Sequence, residues 1–283
     1  MPMISEGFVY VANTEAYLAE ALVSVRSLRR QMPSASVSLV APRSLWPQAE
    51  GAFDHLIEPT LLDKTPIVKN DAHLAPYDRV AFIDTDTFFT ADYMECFRVL
   101  ERNDLALAHE PARGWDYPTD VPRAFCELNT GVILFNNNAK VKAFFTAWLE
   151  RYRHLLAKHQ FRADQNSFRE TLWESNEIRF CVLPTEFHAI IGKPLALAWE
   201  ARLLHGRGSL EQAHRLLNQR IGFRAYMPGI GCLISFRGRK ALLFDVIRLL
   251  GGYVLGFLYP DRLCNTEFSG MKKPHNWFAG EEP

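Results

Sequence analysis

The sequence predicts an α/β fold: a single Rossmann-like domain on a mixed, mainly parallel sheet, followed by a helical C-terminal extension. Two observations carry this. Short β-prone runs alternate with segments of helical period through the first half, the pattern of successive βα units. One apolar run then stops abruptly at two acidic residues, as strands of such sheets do where they present chemistry at their carboxyl ends.

Taken in order, Gly7 to Ala12 (GFVYVA) is the first β-prone run, and Asn13-Thr14 offers a turn and a helix cap. From Ala16 to Gln31, Tyr17, Ala21, Val25 and Leu28 recur at helical spacing and predict a buried stripe. Residues 34–40 (SASVSLV) read as a second strand closed by Pro42, and Arg79 to Asp84 (RVAFID) as the strand that ends in acid. Leu105 to Ala108 and Gly131 to Phe135 are further strands, the latter before the turn Asn136-Asn137-Asn138. A long helix is expected over roughly Ala139 to His159, with Val141, Phe144, Phe145, Trp148, Leu149 and Tyr152 on its apolar side. Beyond residue 208 arginine becomes frequent (Arg215, Arg220, Arg224, Arg237, Arg239, Arg248), so the chain divides into a domain over 1–208 and a basic, partly apolar extension over 209–283.

At 283 residues, with 48% hydrophobic and 23% charged residues, the chain has the composition of an ordinary globular protein. Its 32 basic and 32 acidic residues cancel, which argues against a nucleic-acid-binding surface and means that any anion must be held locally. The five cysteines are odd in number, widely spaced and free of any C-x-x-C pair, and residues 1–10 lack the apolar stretch of a signal peptide. A reduced, cytoplasmic location is the resulting expectation. Residues 241–259 are strongly apolar but include Asp245, Arg248 and Gly251-Gly252, which favours a packed helix over a membrane-surface helix, and either over a span.

The chemistry centres on Asp84-Thr85-Asp86. On extended backbone, two carboxylates two apart point to the same side and could share one hard cation and its phosphate ligands. Without a cation or a basic partner, two like charges beside a buried strand repel, and one should protonate. The plain alternative is an ordinary acidic turn. Two chemistries suit such a strand end: an aspartate-nucleophile phosphatase, whose first motif Asp84 to Thr87 also matches, and metal-bridged binding of a nucleotide-diphosphate sugar. The phosphatase is disfavoured because no adjacent Asp-Asp or G-D-x-x-D pattern follows. A nucleotidyltransferase would want a Gly-rich basic loop after the first strand, where Val11 to Glu15 (VANTE) stands instead. A non-catalytic nucleotide-sugar-binding protein stays open.

Five motifs in order resemble the GT-A glycosyltransferases, most closely the retaining, glycogenin-like group. They are the opening strand into Ala12 to Tyr17, the D-x-D element, Leu128 to Asn136 (LNTGVILFN), Asp164-Gln165-Asn166, and Leu204 to Gly208 (LHGRG), together covering about residues 7–208. The resemblance implies a GT-A fold and sugar transfer from a nucleotide diphosphate, UDP in the first instance, to a glycan or lipid-linked acceptor. It implies manganese or magnesium held by Asp84, Asp86 and His205, and donor contacts from Val11, Ala12, Asn13, Tyr17, Lys69, Thr85, Thr130, Gly131 and Arg207. Asn129, Asp164 and Gln165 would sit by the transferred sugar. Several have a plain alternative: a turn for His205, Asn129, Thr130 and Gly131, a solvated helix for Lys69, a helix cap for Asp164 and Gln165, and core packing for Tyr17. The family's Lys-Pro-Trp step is replaced by Arg207-Gly208-Ser209-Leu210, so a cationic contact to the diphosphate would fall to Arg207. Trp115 and Tyr117, in a proline-rich loop over 110–126, are candidates for stacking on an acceptor sugar, and the basic tail for contact with the inner face of a membrane.

Overall fold

The computed structural model describes residues 4–61, 65–110, 119–160, 162–219, 221–228 and 231–234, with Ile247, Leu250 and Gly251 beyond them. The order of elements is β1 (Glu6–Val11), α1 (Glu15–Gln31), β2 (Ser36–Val40), α2 (Trp46–Ala49), β3 (His55–Ile57), β4 (Arg79–Ile83), β5 (Thr87–Phe89), β6 (Leu105–His109) and β7 (Leu128–Asn136). After these come α3 (Ala139–His159), α4 (Asp164–Glu174), β8 (Phe180–Leu183), β9 (Ala189–Ile190), β10 (Leu195–Leu197), β11 (Leu203–His205), α5 (Leu210–Asn218), β12 (Arg224–Met227) and β13 (Gly231–Ile234). A nine-residue 3-10 helix, Pro66–Leu74, precedes β4.

Seven strands form the main sheet in the order β3-β2-β1-β4-β7-β6-β8. All pairings are parallel except the two made by β7, which therefore runs against the other six strands. The mixed, mainly parallel expectation is met. Alternate residues of each strand enter opposite cores. Phe8 and Tyr10 pack with Leu18, Ala21, Val25 and Leu28 of α1, whereas Val9, Val80 and Phe82 pack beneath Phe144, Phe145 and Trp148 of α3. Burial on both faces explains why these strands are continuous apolar runs.

Caps and turns follow the sequence signals closely. The Thr14 hydroxyl accepts from the Tyr17 amide to start α1, and Asn138 does the same for Val141 at the start of α3. The three asparagines are each spent: Asn136 donates to the carbonyls of Leu100 and Asn103, Asn137 to those of Ala75 and Tyr77, and Asn138 is the cap.

Three expectations change. Tyr17 is not part of the buried α1 stripe, whose place is taken by Leu18; Tyr17 is half-buried. Residues 84–86 are not extended: the backbone bends between β4 and β5, and that bend gathers the acidic side chains. Several short strands after residue 180 carried too few residues for a periodic signal. Two three-stranded sheets, β5-β11-β9 and β10-β12-β13, cap one end of the domain. Residues 209–234, the start of the expected extension, share a core with residues 189–204 through Ala213, Leu217 and Tyr226. The stacking candidates Trp115 and Tyr117, and the apolar stretch 241–259 apart from Ile247, Leu250 and Gly251, lie outside the described residues, as does the basic tail. Among the described residues no helix is long and apolar enough to cross a membrane, and Cys96, Cys126, Cys181 and Cys232 are free thiols.

Asp104 anchors the far end of the sheet, accepting from the Arg179 amide at 2.8 Å and pairing with Lys140 at 2.6 Å. Burial pushes its carboxyl up, but Lys140 and the Arg179 amide outweigh this and hold it below the ordinary range. A depressed carboxylate stabilises the fold above its unfolded pKa of about 3.9, and that contribution is lost as pH falls through the folded value. Asp104→Asn is expected to cost about 1–3 kcal/mol at neutral pH. In urea titrations at successive pH values, the deficit should shrink towards pH 3.

Candidate functional site

Four backbone features assemble the site at the carboxyl end of β4. The Asp84 amide donates to the Gly131 carbonyl at 2.8 Å, tying the bend to β7. β5 is pinned to α1: the Ser24 and Thr87 hydroxyls lie 2.6 Å apart, and the Phe89 amide donates to Ser27. β11 pairs antiparallel with β5, placing His205 opposite Thr87. The Gly206 amide then donates to the Asp86 carbonyl at 2.9 Å. Gly206 has φ +134°, and a Cβ there would stand 3.0 Å from Ile191, so the turn that carries His205 calls for glycine.

In consequence the Asp84, Asp86 and His205 side chains offer ligand atoms that all lie within 4.8 Å of one another. His205 Nε2 is 3.2 Å from Asp86 Oδ1 and 3.8 Å from Asp84 Oδ2. Gly131 makes room for the group: a Cβ there would stand 2.4 Å from His205 Cε1 and 2.9 Å from Asp84 Oδ2. Two carboxylate oxygens and one imidazole nitrogen around a space kept open by glycine fit a divalent cation such as manganese or magnesium.

The two carboxyl groups are shifted in opposite directions. Burial raises the Asp84 carboxyl above its ordinary value, with Lys69 and His205 compensating only in part. Burial also pushes Asp86 up, but the His205 hydrogen bond and charge and the Arg207 charge outweigh it and bring it down to about 2. For His205, burial works against the charged form, and the neighbouring Asp86 and Asp84 overcome it to raise the imidazole. These opposite shifts are the answer to the like-charge conflict read from the sequence.

Lys69 is the second cation. Asn70 and Asp71 lock its 3-10 helix: Asn70 donates to the Phe145 carbonyl, and Asp71 accepts from the amides of Thr60 and Leu61. Buried at 8% exposure, the Lys69 ammonium lies 3.5 Å from Asp84 Oδ2 and 3.2 Å from Asp164 Oδ2, and donates to the Thr130 carbonyl. Burial lowers its pKa, but Asp164 and Asp84 more than compensate, so it stays charged. Asp164 also accepts from the Thr130 hydroxyl at 2.7 Å.

A cleft of about 210 Å³ opens in front of these groups. Of the residues expected at the site, Val11, Asn13, Tyr17, Lys69, Asp84, Thr85, Asp86, His205 and Arg207 line it. Ala12 does not: its side chain is buried in the core and its amide is spent on the Val40 carbonyl. Asn129, Thr130 and Asp164 are buried behind the cleft with their polar atoms engaged by protein, Asn129 between Glu110 and the Gly131 amide. Gln165 is half-buried and reaches Glu127 at 3.5 Å. Asp164 starts α4 without capping it, since its carboxylate turns to Lys69 and Thr130.

Sequence reasoning missed Glu20, Thr65, Pro66, Val68, Phe82 and His188. Glu20 accepts from the Thr85 hydroxyl at 2.8 Å and from Arg207 Nε at 3.1 Å, so it orders both. The Arg207 guanidinium lies 6.0 Å from the Tyr17 ring centre. Tyr17 and Glu20 stand three apart on α1, a spacing that could have marked them as neighbours on one face. His188 Nε2 lies 2.7 Å from His205 Nδ1, with the two rings stacked.

A seven-stranded mixed sheet that closes on a D-x-D bend and a distant histidine defines a class, the GT-A fold of the glycosyltransferases. Residues 79–196, from β4 into β10, match the model of the nucleotide-diphospho-sugar transferase family. No curated protein sequence matches the chain. Among solved structures, an active-site mutant of LgtC is 15% identical, with 65% of this chain and 75% of that chain covered at a TM-score of 0.51. The apo form of the glycosyltransferase GlyE of Streptococcus pneumoniae TIGR4 is 16% identical, with 88% and 63% covered at 0.50. The bifunctional glycosyltransferase WbbM is 15% identical, with 73% and 46% covered at 0.50. The chain thus spans under two thirds of GlyE and under half of WbbM. These likenesses show the fold, and the sequence resemblance to GT-A proteins is met.

Gly131→Ala tests the geometry of the centre. Overpacking against His205 and Asp84 should cost about 1–3 kcal/mol. Displacement of the ligand atoms should weaken divalent-cation binding by about tenfold or more, measured by calorimetry on protein whose circular dichroism is unchanged.

Proposed function

We propose that the chain is a metal-dependent glycosyltransferase that moves a sugar from a nucleotide diphosphate, UDP in the first instance, to a hydroxyl of a glycan or lipid-linked acceptor. The observation that carries this reading is the convergence of Asp84, Asp86 and His205 in a cleft that Lys69 and Arg207 also line, Lys69 at 3.5 Å from Asp84 and Arg207 at 4.0 Å from Asp86. A cleft lined by both acidic and basic groups suits a cation together with a diphosphate, which the chain's zero net charge would not gather by itself.

In this reading Val11, Asn13 and Tyr17 flank the base and ribose, and Asp84 and Thr85 approach the ribose and diphosphate. Asp84, Asp86 and His205 would hold manganese or magnesium, which supplies Lewis-acid stabilisation of the departing diphosphate. Lys69, fixed by Asp164 and Thr130, keeps a full positive charge beside Asp84 where negative charge grows in the transition state. Arg207, oriented by Glu20, adds a second, more exposed charge. Gln165 is the half-buried polar group best placed to meet the transferred sugar, with Asp164 and Asn129 shaping the wall behind it. The transfer is read as retaining, as the resemblance implies, without a protein nucleophile. An aspartate-nucleophile phosphatase loses ground because, among the described residues, Asp84, Asp86 and His205 are the one grouping suited to a metal.

Calorimetry of UDP with and without manganese tests the proposal. Wild-type protein should bind UDP with a strong metal requirement, and Asp86→Asn should remove the metal-dependent part, a loss of about 100-fold or more. Binding indifferent to both the metal and the substitution would reject the reading. A panel of nucleotide sugars scored for metal-dependent hydrolysis then identifies the donor.

The pH dependence has a definite sign. His205 is raised by its acidic neighbours, so a proton competes with the cation for Nε2. Metal-dependent UDP binding should strengthen as pH rises through the His205 pKa, above its ordinary value of about 6.5. Titrations between pH 6 and pH 9 that show affinity falling with pH would contradict this assignment of the ligand.

A further inference from the structure

Among the described residues, three of the most exposed large apolar side chains come together at one end of the β10-β12-β13 sheet: Trp199 at 67%, Phe223 at 63% and Ile221 at 59%. A single buried guanidinium holds the backbone around them. Arg224 donates from Nη2 to the Trp199 carbonyl at 2.9 Å, from Nη1 to that of Gly222 at 3.0 Å and from Nε to that of Leu217 at 2.7 Å. The Trp199 amide in turn donates to Glu186 at 3.0 Å. The exposure of these side chains is therefore fixed by the fold, and a rigid group of exposed apolar side chains marks a contact surface.

Charge of one sign collects in the same part of the chain. Residues 209–240 hold six basic residues, Arg215, Arg220, Arg224, Arg237, Arg239 and Lys240, against Glu211 alone, in a chain whose total charge is zero. Arg215 is exposed on α5, and Arg220 adjoins Ile221 in sequence. β13 pairs with β12 so that Ile234 lies opposite Arg224; the chain thus leaves the sheet beside the apolar group, and the apolar stretch 241–259 begins seven residues later. Within that stretch Ile247 and Leu250 are helical and exposed as well. Aromatic and branched apolar side chains set among arginines suit an interfacial membrane contact, where rings enter the boundary between headgroups and acyl chains and cations meet anionic headgroups. A second copy of the chain would bring the same positive excess to this face, which disfavours self-association through it.

We propose that the face built on Trp199, Ile221 and Phe223 docks on the surface of an anionic lipid bilayer, steered by the basic residues of 209–240. The consequence for the acceptor rests on the glycosyltransferase reading. α5, nine residues and about 14 Å long, joins the Arg207 end of the cleft to this face, so docking brings the cleft close to a lipid-linked acceptor in the same membrane.

Vesicle co-sedimentation of the full chain tests it, with vesicles of phosphatidylcholine alone and of phosphatidylcholine mixed with phosphatidylglycerol. Binding to the mixed vesicles is expected, about fivefold or more tighter than to the neutral ones and weakened by added salt. The double variant Trp199→Ser/Phe223→Ser changes two exposed positions, so it should keep its circular dichroism while losing about tenfold or more in vesicle affinity. That loss assigns the contact to this face rather than to the residues after 234 alone. Arg215→Glu, on the exposed side of α5, should weaken the same binding about fivefold or more without touching the apolar side chains. No binding to either kind of vesicle, equal binding to both, or undiminished binding by the folded double variant overturns the proposal, as does a dimer in light scattering that the double variant abolishes. UDP calorimetry is read separately: neither Trp199 nor Phe223 lines the cleft, so the double variant should bind UDP as the wild type does. Failure of UDP binding by the wild type counts against the glycosyltransferase reading, whereas vesicle affinity decides the docking face.

Discussion

Everything at this site depends on one electrostatic constraint, two carboxylates brought together at the end of a buried strand. Asp84 and Asp86 could not both be ionised there without compensation, because desolvation and mutual repulsion act in the same direction. Lys69 and His205 provide that compensation from opposite sides, and each is itself buried and held by protein contacts. The arrangement is specific because breaking any one pairing leaves a buried charge unmatched, which costs more than the pairing is worth when intact.

The sheet serves this constraint. With β4 at its centre, the acidic bend emerges between β1, whose end leads into Asn13 and Tyr17, and the reversed strand β7, which contributes Gly131. Reversal of β7 matters chemically: its amino-terminal residues, Leu128 to Gly131, meet the carboxyl end of β4, so the small residue and the Asn129 and Thr130 side chains fall at the acidic end of the domain. α4 then delivers Asp164 to Lys69, while α1 supplies Glu20, which orders Thr85 and Arg207.

Most of the first half of the fold was legible in the sequence because its strands are covered on both faces and its long helices carry continuous apolar stripes. The strands after residue 180 were not, since two- to four-residue strands have no room for a period to show. Among site residues, motif order marks Asp84, Asp86 and His205, and the resemblance adds Lys69. Their division of charge was not legible, because it depends on distances that only the folded chain sets. Glu20 and His188 escaped notice for the same reason: each acts on a residue far away in the chain, and no local pattern marks such a partner. Ala12, a donor contact by the resemblance, does not line the cleft, because its side chain is buried and its amide completes the ladder to Val40.

The pairing of β5 with β11 has a consequence for how the protein acquires its chemistry. His205 follows Asp86 by more than a hundred residues, and Gly206 closes on Asp86 only once β11 is in register. The unfolded or half-assembled chain therefore has two acids and no third ligand, so a divalent ion has little reason to prefer it. In the proposed reading, affinity for the ion would be part of the free energy that favours the completed fold, and occupancy of the centre would report the docking of the C-terminal strands.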